Sequence, residues 1–257
     1  MYRPRLIPVL LLKGRALVKT LKFKSPIYLG DPINAVRLFN DMNADELIFL
    51  DINASKESRC VDVTYVREIA EEARMPFSVG GGINSLEDME ALLKNGSEKV
   101  IINTAAFKKP DLITQAANQF GSQSVVVCID VRQCFGRKYI AYITNGNSRI
   151  KYDVMDYCRR VVDYGAGELM IQSIDRDGTY RGYDVELASR IANSVSVPIT
   201  ICGGASSLDN MVDLYRTTHV QGLAAGSLFV FHSGRDSFLI NYPNDQDKDK
   251  LRSVNGI

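Results

Sequence analysis

A single shift of 122 residues superimposes this chain on itself: MPFSVGGGINSLEDM (75–89) falls on VPITICGGASSLDNM (197–211), Gly81 on Gly203. The same shift lays ADELIFLDI (44–52) on AGELMIQSI (166–174), so that Glu46 meets Glu168, and it lays Phe107 on Phe229. One shift shared by separate segments implies two similar units of about 120 residues each. Any fold for this chain must therefore divide into equivalent halves, about 1–122 and 123–240.

Each half alternates short apolar runs with longer amphipathic ones. The strand candidates are residues 5–11, 46–51, 76–81, 99–103, 124–130, 168–173, 198–204 and 223–227. Helical patterns lie between them, as in 33–43 and 85–96, the second opened by Ser85 with an acid three residues on and closed by Gly96. Near-continuous Val/Ile/Leu strands separated by helices imply parallel strands covered outside. Eight such units predict an α/β (β/α)8 TIM barrel as a single domain over 1–240, with a doubly wound open sheet as the alternative. The polar, Asp/Lys-mixed segment 241–257 reads as a frayed tail beyond it.

Composition narrows the class. Lys and Arg number 31 against 30 Asp and Glu, so nothing draws the chain toward nucleic acid or an anionic membrane. Any anion must be held by local geometry. The five cysteines, at 60, 128, 134, 158 and 202, contain no CxxC pair and read as reduced thiols. With only His219 and His232, no metal site is expected, and no cofactor. The apolar run near the start is far short of the roughly 18 residues of a membrane span and shows no cleavage pattern, so an untargeted cytoplasmic protein is expected.

Ligands of such barrels sit at the carboxyl ends of the strands. There, Gly81-Gly82 stands beside Asn103-Thr104 in the first half, and Gly203-Gly204 beside Gly226-Ser227 in the second. Glycine lets backbone N–H groups approach an oxyanion, and a neighbouring hydroxyl completes a phosphate cradle. The alternative is that these glycines only turn corners. Two cradles suit a substrate phosphorylated at both ends. Asp51, Asp130 and the run Ser173–Thr179 supply acids at the mouth. Asp130 ends an apolar run, which fits either a desolvated proton-transfer group or a helix cap. The lysine-rich segment 19–30 is long for a βα connection, and reads as a mobile lid or an ordinary exposed loop.

The segments ADELIFLDINAS, VGGGINSLED, INTAA, FGSQSVVVCID, GAGEL and SIDRDGTYRGYD resemble HisF, the cyclase subunit of imidazole glycerol phosphate synthase. The resemblance runs from near the start to about residue 232. It implies a barrel of two half-barrels that takes ammonia from a HisH-like glutamine amidotransferase partner and uses it on a doubly phosphorylated substrate. Gly82, Asn103 and Thr104 would then hold one phosphate. Asp177, Gly178, Gly204, Gly226 and Ser227 would hold the other, and Asp130 would be one of two catalytic aspartates.

The second aspartate is absent. Where the family commonly reads Cys-Leu-Asp-Val-Lys, this chain reads Val9-Leu10-Leu11-Leu12-Lys13. Leucine moves no proton, and general acid–base groups contribute about 10²–10⁴-fold, so the usual cyclisation should be slow or absent. Gln172 replaces a common threonine and Cys202 a common serine. Alternation places Leu11 on the face of Arg5, Ile7 and Val9, and Gln172 on that of Glu168 and Met170. At the opposite end, Arg5, Glu46, Lys99 and Glu168 match the family's ammonia gate, with solvated, exposed or half-exposed charges as the alternative. Arg5 lies up to roughly 20 Å from the mouth. A matched gate beneath an altered mouth implies delivered ammonia and a changed acceptor. That pattern resembles HisF-like paralogues tied to amidination of an acetamido sugar for surface polysaccharide (lipopolysaccharide). Histidine biosynthesis and a non-catalytic scaffold for the glutaminase are the alternatives.

Overall fold

The computed structural model describes residues 3–232 and 237–252. Twelve strands form the main sheet: β1 (Arg5–Lys13), β2 (Ala16–Leu21), β3 (Lys24–Gly30), β4 (Leu47–Asp51), β5 (Phe77–Gly80), β6 (Lys99–Ile102), β7 (Val125–Cys134), β8 (Lys138–Ile143), β9 (Ser148–Asp153), β10 (Glu168–Ser173), β11 (Ile199–Cys202) and β12 (Gly222–Ala225). Eight of them, β1, β4, β5, β6, β7, β10, β11 and β12, pair in parallel in that order, and β12 returns to β1. The fold is therefore a closed (β/α)8 barrel, and the open sheet is excluded.

Strand alternation builds two concentric cores. Leu6, Leu10 and Leu12 of β1 point outward into the large layer beneath the helices. Ile7, Val9 and Leu11 point inward with Ile48, Ile101, Val126, Met170 and Ala224. Between strands run α1 (Pro32–Asp41), α2 (Val63–Glu72), α3 (Leu86–Lys94), α4 (Thr104–Lys108), α5 (Asp111–Phe120), α6 (Val154–Asp163), α7 (Val185–Ala192), α8 (Leu208–Thr218) and α9 (Ser227–Val230). The caps repeat at the same shift as the sequence. Ser85 accepts from the Asp88 amide to open α3, and Ser207 accepts from the Asn210 amide to open α8. Gly81 and Gly203 also correspond. Both have positive φ, and a Cβ would strike the backbone of Asp51 in one and of Ser173 in the other, so only glycine fits either turn.

Four strands were not legible. β2 and β3 fold back antiparallel from the end of β1, and β8 and β9 do the same from the end of β7. Segment 19–30 is thus a paired ribbon rather than a loose connection, and its Lys19 and Thr20 are buried. Asp130 is no helix cap, since it lies inside β7 and the cap of α6 is Asp153. The tail expectation is also corrected. Residues Asp245–Arg252 form α10, whose Leu251 is fully buried and whose Lys248 lies over the Tyr242 ring at 4.9 Å. One buried leucine and a lysine stem suffice to dock a helix that composition marks as polar. Residues 253–257 of that tail lie outside the described residues. Among the described residues no helix is long and apolar enough to cross a membrane.

Candidate functional site

At the carboxyl ends of the barrel strands opens a cavity of about 540 Å3. Its floor divides into two halves. Val9, Leu11 and Leu50 give an apolar half, and Cys128, Asp130, Gln172 and Cys202 a polar one. Asp130, Gln172 and Cys202 are lateral neighbours across β7, β10 and β11. Leu11 stands on the first barrel strand and Asp130 on the fifth of eight, across the floor from one another. The altered positions therefore share the floor, with Gln172 beside Asp130 and Cys202 next to Gln172.

Asp130 is buried, and burial raises its carboxyl to about 7; the Cys128 thiol opposes the shift, at 3.7 Å from Oδ1, and the Asp177 charge adds to it. A carboxyl so placed has both protonation states available near neutrality, which suits proton transfer. Burial also pushes the Cys202 thiol up to about 12, so it is a neutral wall group rather than a nucleophile. Asp51 carries no free charge, since Arg59 lies 2.7 Å from it and it accepts from the amides of Asn53 and Ala54.

Of the expected phosphate groups, Gly82, Asn103, Thr104 and Asp177 line the cavity. The Asn103 amide donates to the Cys128 carbonyl at 2.9 Å, and the Thr104 hydroxyl accepts from the Thr144 amide at 3.0 Å. The turn between β8 and β9 thus reaches over the mouth to this residue. Gly178, Gly204, Gly226 and Ser227 are not part of the cavity wall. Here the first ribbon intervenes. Lys19 lies 3.6 Å from Asp177, which also accepts from the Thr20 hydroxyl at 3.1 Å and the Phe23 amide at 3.3 Å. A Cβ on Gly226 would sit 2.2 Å from the Lys19 ammonium. The missing side chain at 226 is where that ammonium rests. The Ser227 hydroxyl is buried and finds no partner among the described residues.

At the opposite end, the four matched charges form a closed ring. Arg5 bridges Glu46 and, at 2.7 Å, Glu168. Lys99 bridges Glu168 at 2.8 Å and Glu46 at 3.6 Å. The carboxylates are only 4% and 6% exposed, so these are not solvated charges. Burial pushes the Glu168 carboxyl up, but Arg5 and Lys99 outweigh it and hold it below the usual range.

Two ring members were missed. Ser78 donates to Glu46 at 2.9 Å and Thr200 to Glu168 at 2.6 Å. The 122-residue shift that relates the two glutamates also relates Ser78 to Thr200, so the signal was present. Lys19 was expected only as the start of a lid over the mouth or an exposed loop, and no sequence spacing links it to Asp177.

The histidine biosynthesis protein family matches residues 5–236 of the chain. A Pseudomonas aeruginosa protein, provisionally named imidazole glycerol phosphate synthase subunit hisF2, is 47% identical over 95% of this chain and 97% of its own. A Vibrio vulnificus protein with the provisional name hisF3 is 44% identical over 97% of this chain and 96% of its own. The imidazole glycerol phosphate synthase subunit HisF of Alkaliphilus metalliredigens is 40% identical over 90% of this chain and 92% of its own. With the barrel, the paired glycine turns and the charge ring, this places the chain in the histidine biosynthesis protein family, as a HisF-type member.

Proposed function

We propose that this barrel takes ammonia from a HisH-like glutamine amidotransferase bound below the charge ring and passes it to a phosphate-bearing acceptor at the mouth. The favoured acceptor is an acetamido sugar on the way to surface polysaccharide, amidinated rather than cyclised. The observation that carries this reading is Leu11. It lies on the cavity floor opposite Asp130, so a cyclisation needing two proton-transfer groups finds one. The ring of Arg5, Glu46, Lys99 and Glu168 supports continued delivery of ammonia, because two buried carboxylates held by two half-buried cations and two hydroxyl donors are costly to keep without use.

A second reading has its own support. Asp130 with a carboxyl near 7 suits cyclisation in histidine biosynthesis, and the Alkaliphilus relative carries that subunit's name. Purified chain, ammonium chloride and the ribulosyl intermediate separate the two. The favoured reading expects no imidazole glycerol phosphate, while turnover at an ordinary enzymatic rate would overturn it. Absence of any product with stimulation of the partner's glutaminase would favour the scaffold instead.

A further inference from the structure

Cations are distributed unevenly around the mouth. On the Asp177 side, the Lys19 ammonium is already committed to a carboxylate, and Gly178, Gly204, Gly226 and Ser227 are not part of the cavity wall. The lining of the same cavity that includes Gly82, Asn103 and Thr104 also includes Ser55, Lys56, Ser58, Arg59, Lys108 and Lys109. Arg59 is matched by Asp51 and Glu57, and Lys109 donates to the Asn84 carbonyl. Lys56 and Lys108 are different. Lys56 lies in the loop after β4 and Lys108 ends α4 after β6, and among the described residues neither side chain has an ion pair or a hydrogen bond.

Both lysines belong to the elements that build the Thr104 side of the mouth: Lys108 closes the short helix that Thr104 opens, and Lys56 lies in the loop whose Arg59 carbonyl packs against Gly82. One phosphate beside Thr104 leaves both without need, whereas a second phosphoryl joined to the first would meet them directly. Ser55 and Ser58 line the cavity as well, and their hydroxyls can donate to that phosphoryl's oxygens. The apolar half of the floor and a volume of about 540 Å3 leave room for the organic part of such a ligand.

We infer that the mouth binds a diphosphate ester, with one phosphoryl beside Gly82, Asn103 and Thr104 and the adjacent one between Lys56 and Lys108. A ligand with phosphates at its two ends fits less well, because the far position is held by the Lys19–Asp177 pair. The inference deepens the acceptor reading and rests on the mouth being its site. It does not depend on ammonia transfer.

Titration calorimetry in magnesium-free buffer tests it with inorganic pyrophosphate, inorganic phosphate and fructose 1,6-bisphosphate. Pyrophosphate should bind one to one and about tenfold or more tighter than either of the others. The double variant Lys56→Ala/Lys108→Ala should lose about tenfold in pyrophosphate affinity and little in phosphate affinity, while Arg67→Ala/Lys94→Ala, on outer helices, should lose neither. Tighter binding of fructose 1,6-bisphosphate, or an unchanged pyrophosphate affinity in the Lys56/Lys108 variant, overturns the inference. Neither result bears on whether ammonia crosses the charge ring, which is read separately by glutamine-dependent turnover.

Discussion

Leu11 and Asp130 face each other across one cavity floor with opposite chemistry. Leu11→Asp should restore a second proton-transfer group and raise cyclisation of the ribulosyl intermediate by roughly 10²-fold or more, read as imidazole glycerol phosphate release. A variant that binds the substrate without gain would shift the block to Gln172, which adjoins Asp130, and to Cys202, which adjoins Gln172. Asp130 itself has a pH signature. Its carboxyl rises from 3.8 to about 7 on folding, so the fold favours the protonated form. That contribution is complete below 3.8 and is lost as pH climbs through about 7, above which a charge lies buried. Asp130→Asn removes the titration, so its stability relative to the parent should rise by a few kcal/mol between pH 4 and 8 in urea unfolding. A flat difference across that range would show an ordinary carboxyl.

Among the elements, the two ribbons and α10 are what the residue pattern hid. β2 begins Ala-Leu-Val-Lys-Thr-Leu, and Leu17, Val18, Lys19 and Thr20 are all buried. No alternation marks it as a strand, because one face meets the barrel and the other the mouth. α10 has few apolar residues, and its anchoring is spread over Leu251, Lys248 and the preceding Tyr242, whose hydroxyl donates to the Leu6 carbonyl at 2.8 Å and accepts from the Asp45 amide at 3.0 Å. Leu251→Ala should therefore cost about 2–5 kcal/mol and lower the melting temperature, as for a core leucine. A cost under about 0.5 kcal/mol, typical of a surface site, would mean that the helix is not docked in solution.

Across the whole molecule, the charge ring and the mouth sit at opposite ends of one barrel, which makes their coupling testable. Lys99→Met keeps the aliphatic stem but leaves Arg5 as the one cation of the ring facing Glu46 and Glu168. Because both carboxylates are buried, the loss should reach about 3–5 kcal/mol rather than the 0–1 kcal/mol of an exposed pair. If the ring governs ammonia passage, glutamine-supported turnover should fall relative to turnover with added ammonium chloride. An unchanged ratio in a folded variant would remove the gate from the account.

The 122-residue shift, the eight apolar runs and the paired glycines were enough to derive the barrel and to name Asp130, Gly82 and Thr104, while Leu11 and the four ring charges were singled out by the resemblance to HisF. Those features are local or periodic, and strand alternation alone assigns each side chain to the inner or outer face. Contacts between residues far apart in the chain carry no such period. Lys19 meets Asp177, Thr144 meets Thr104, and Lys56 and Lys108 line one cavity only because a closed sheet curls distant segments around a common mouth. The sequence determined which residues reach the ends of the strands; closure of the barrel decided which of them face one another, and at what burial.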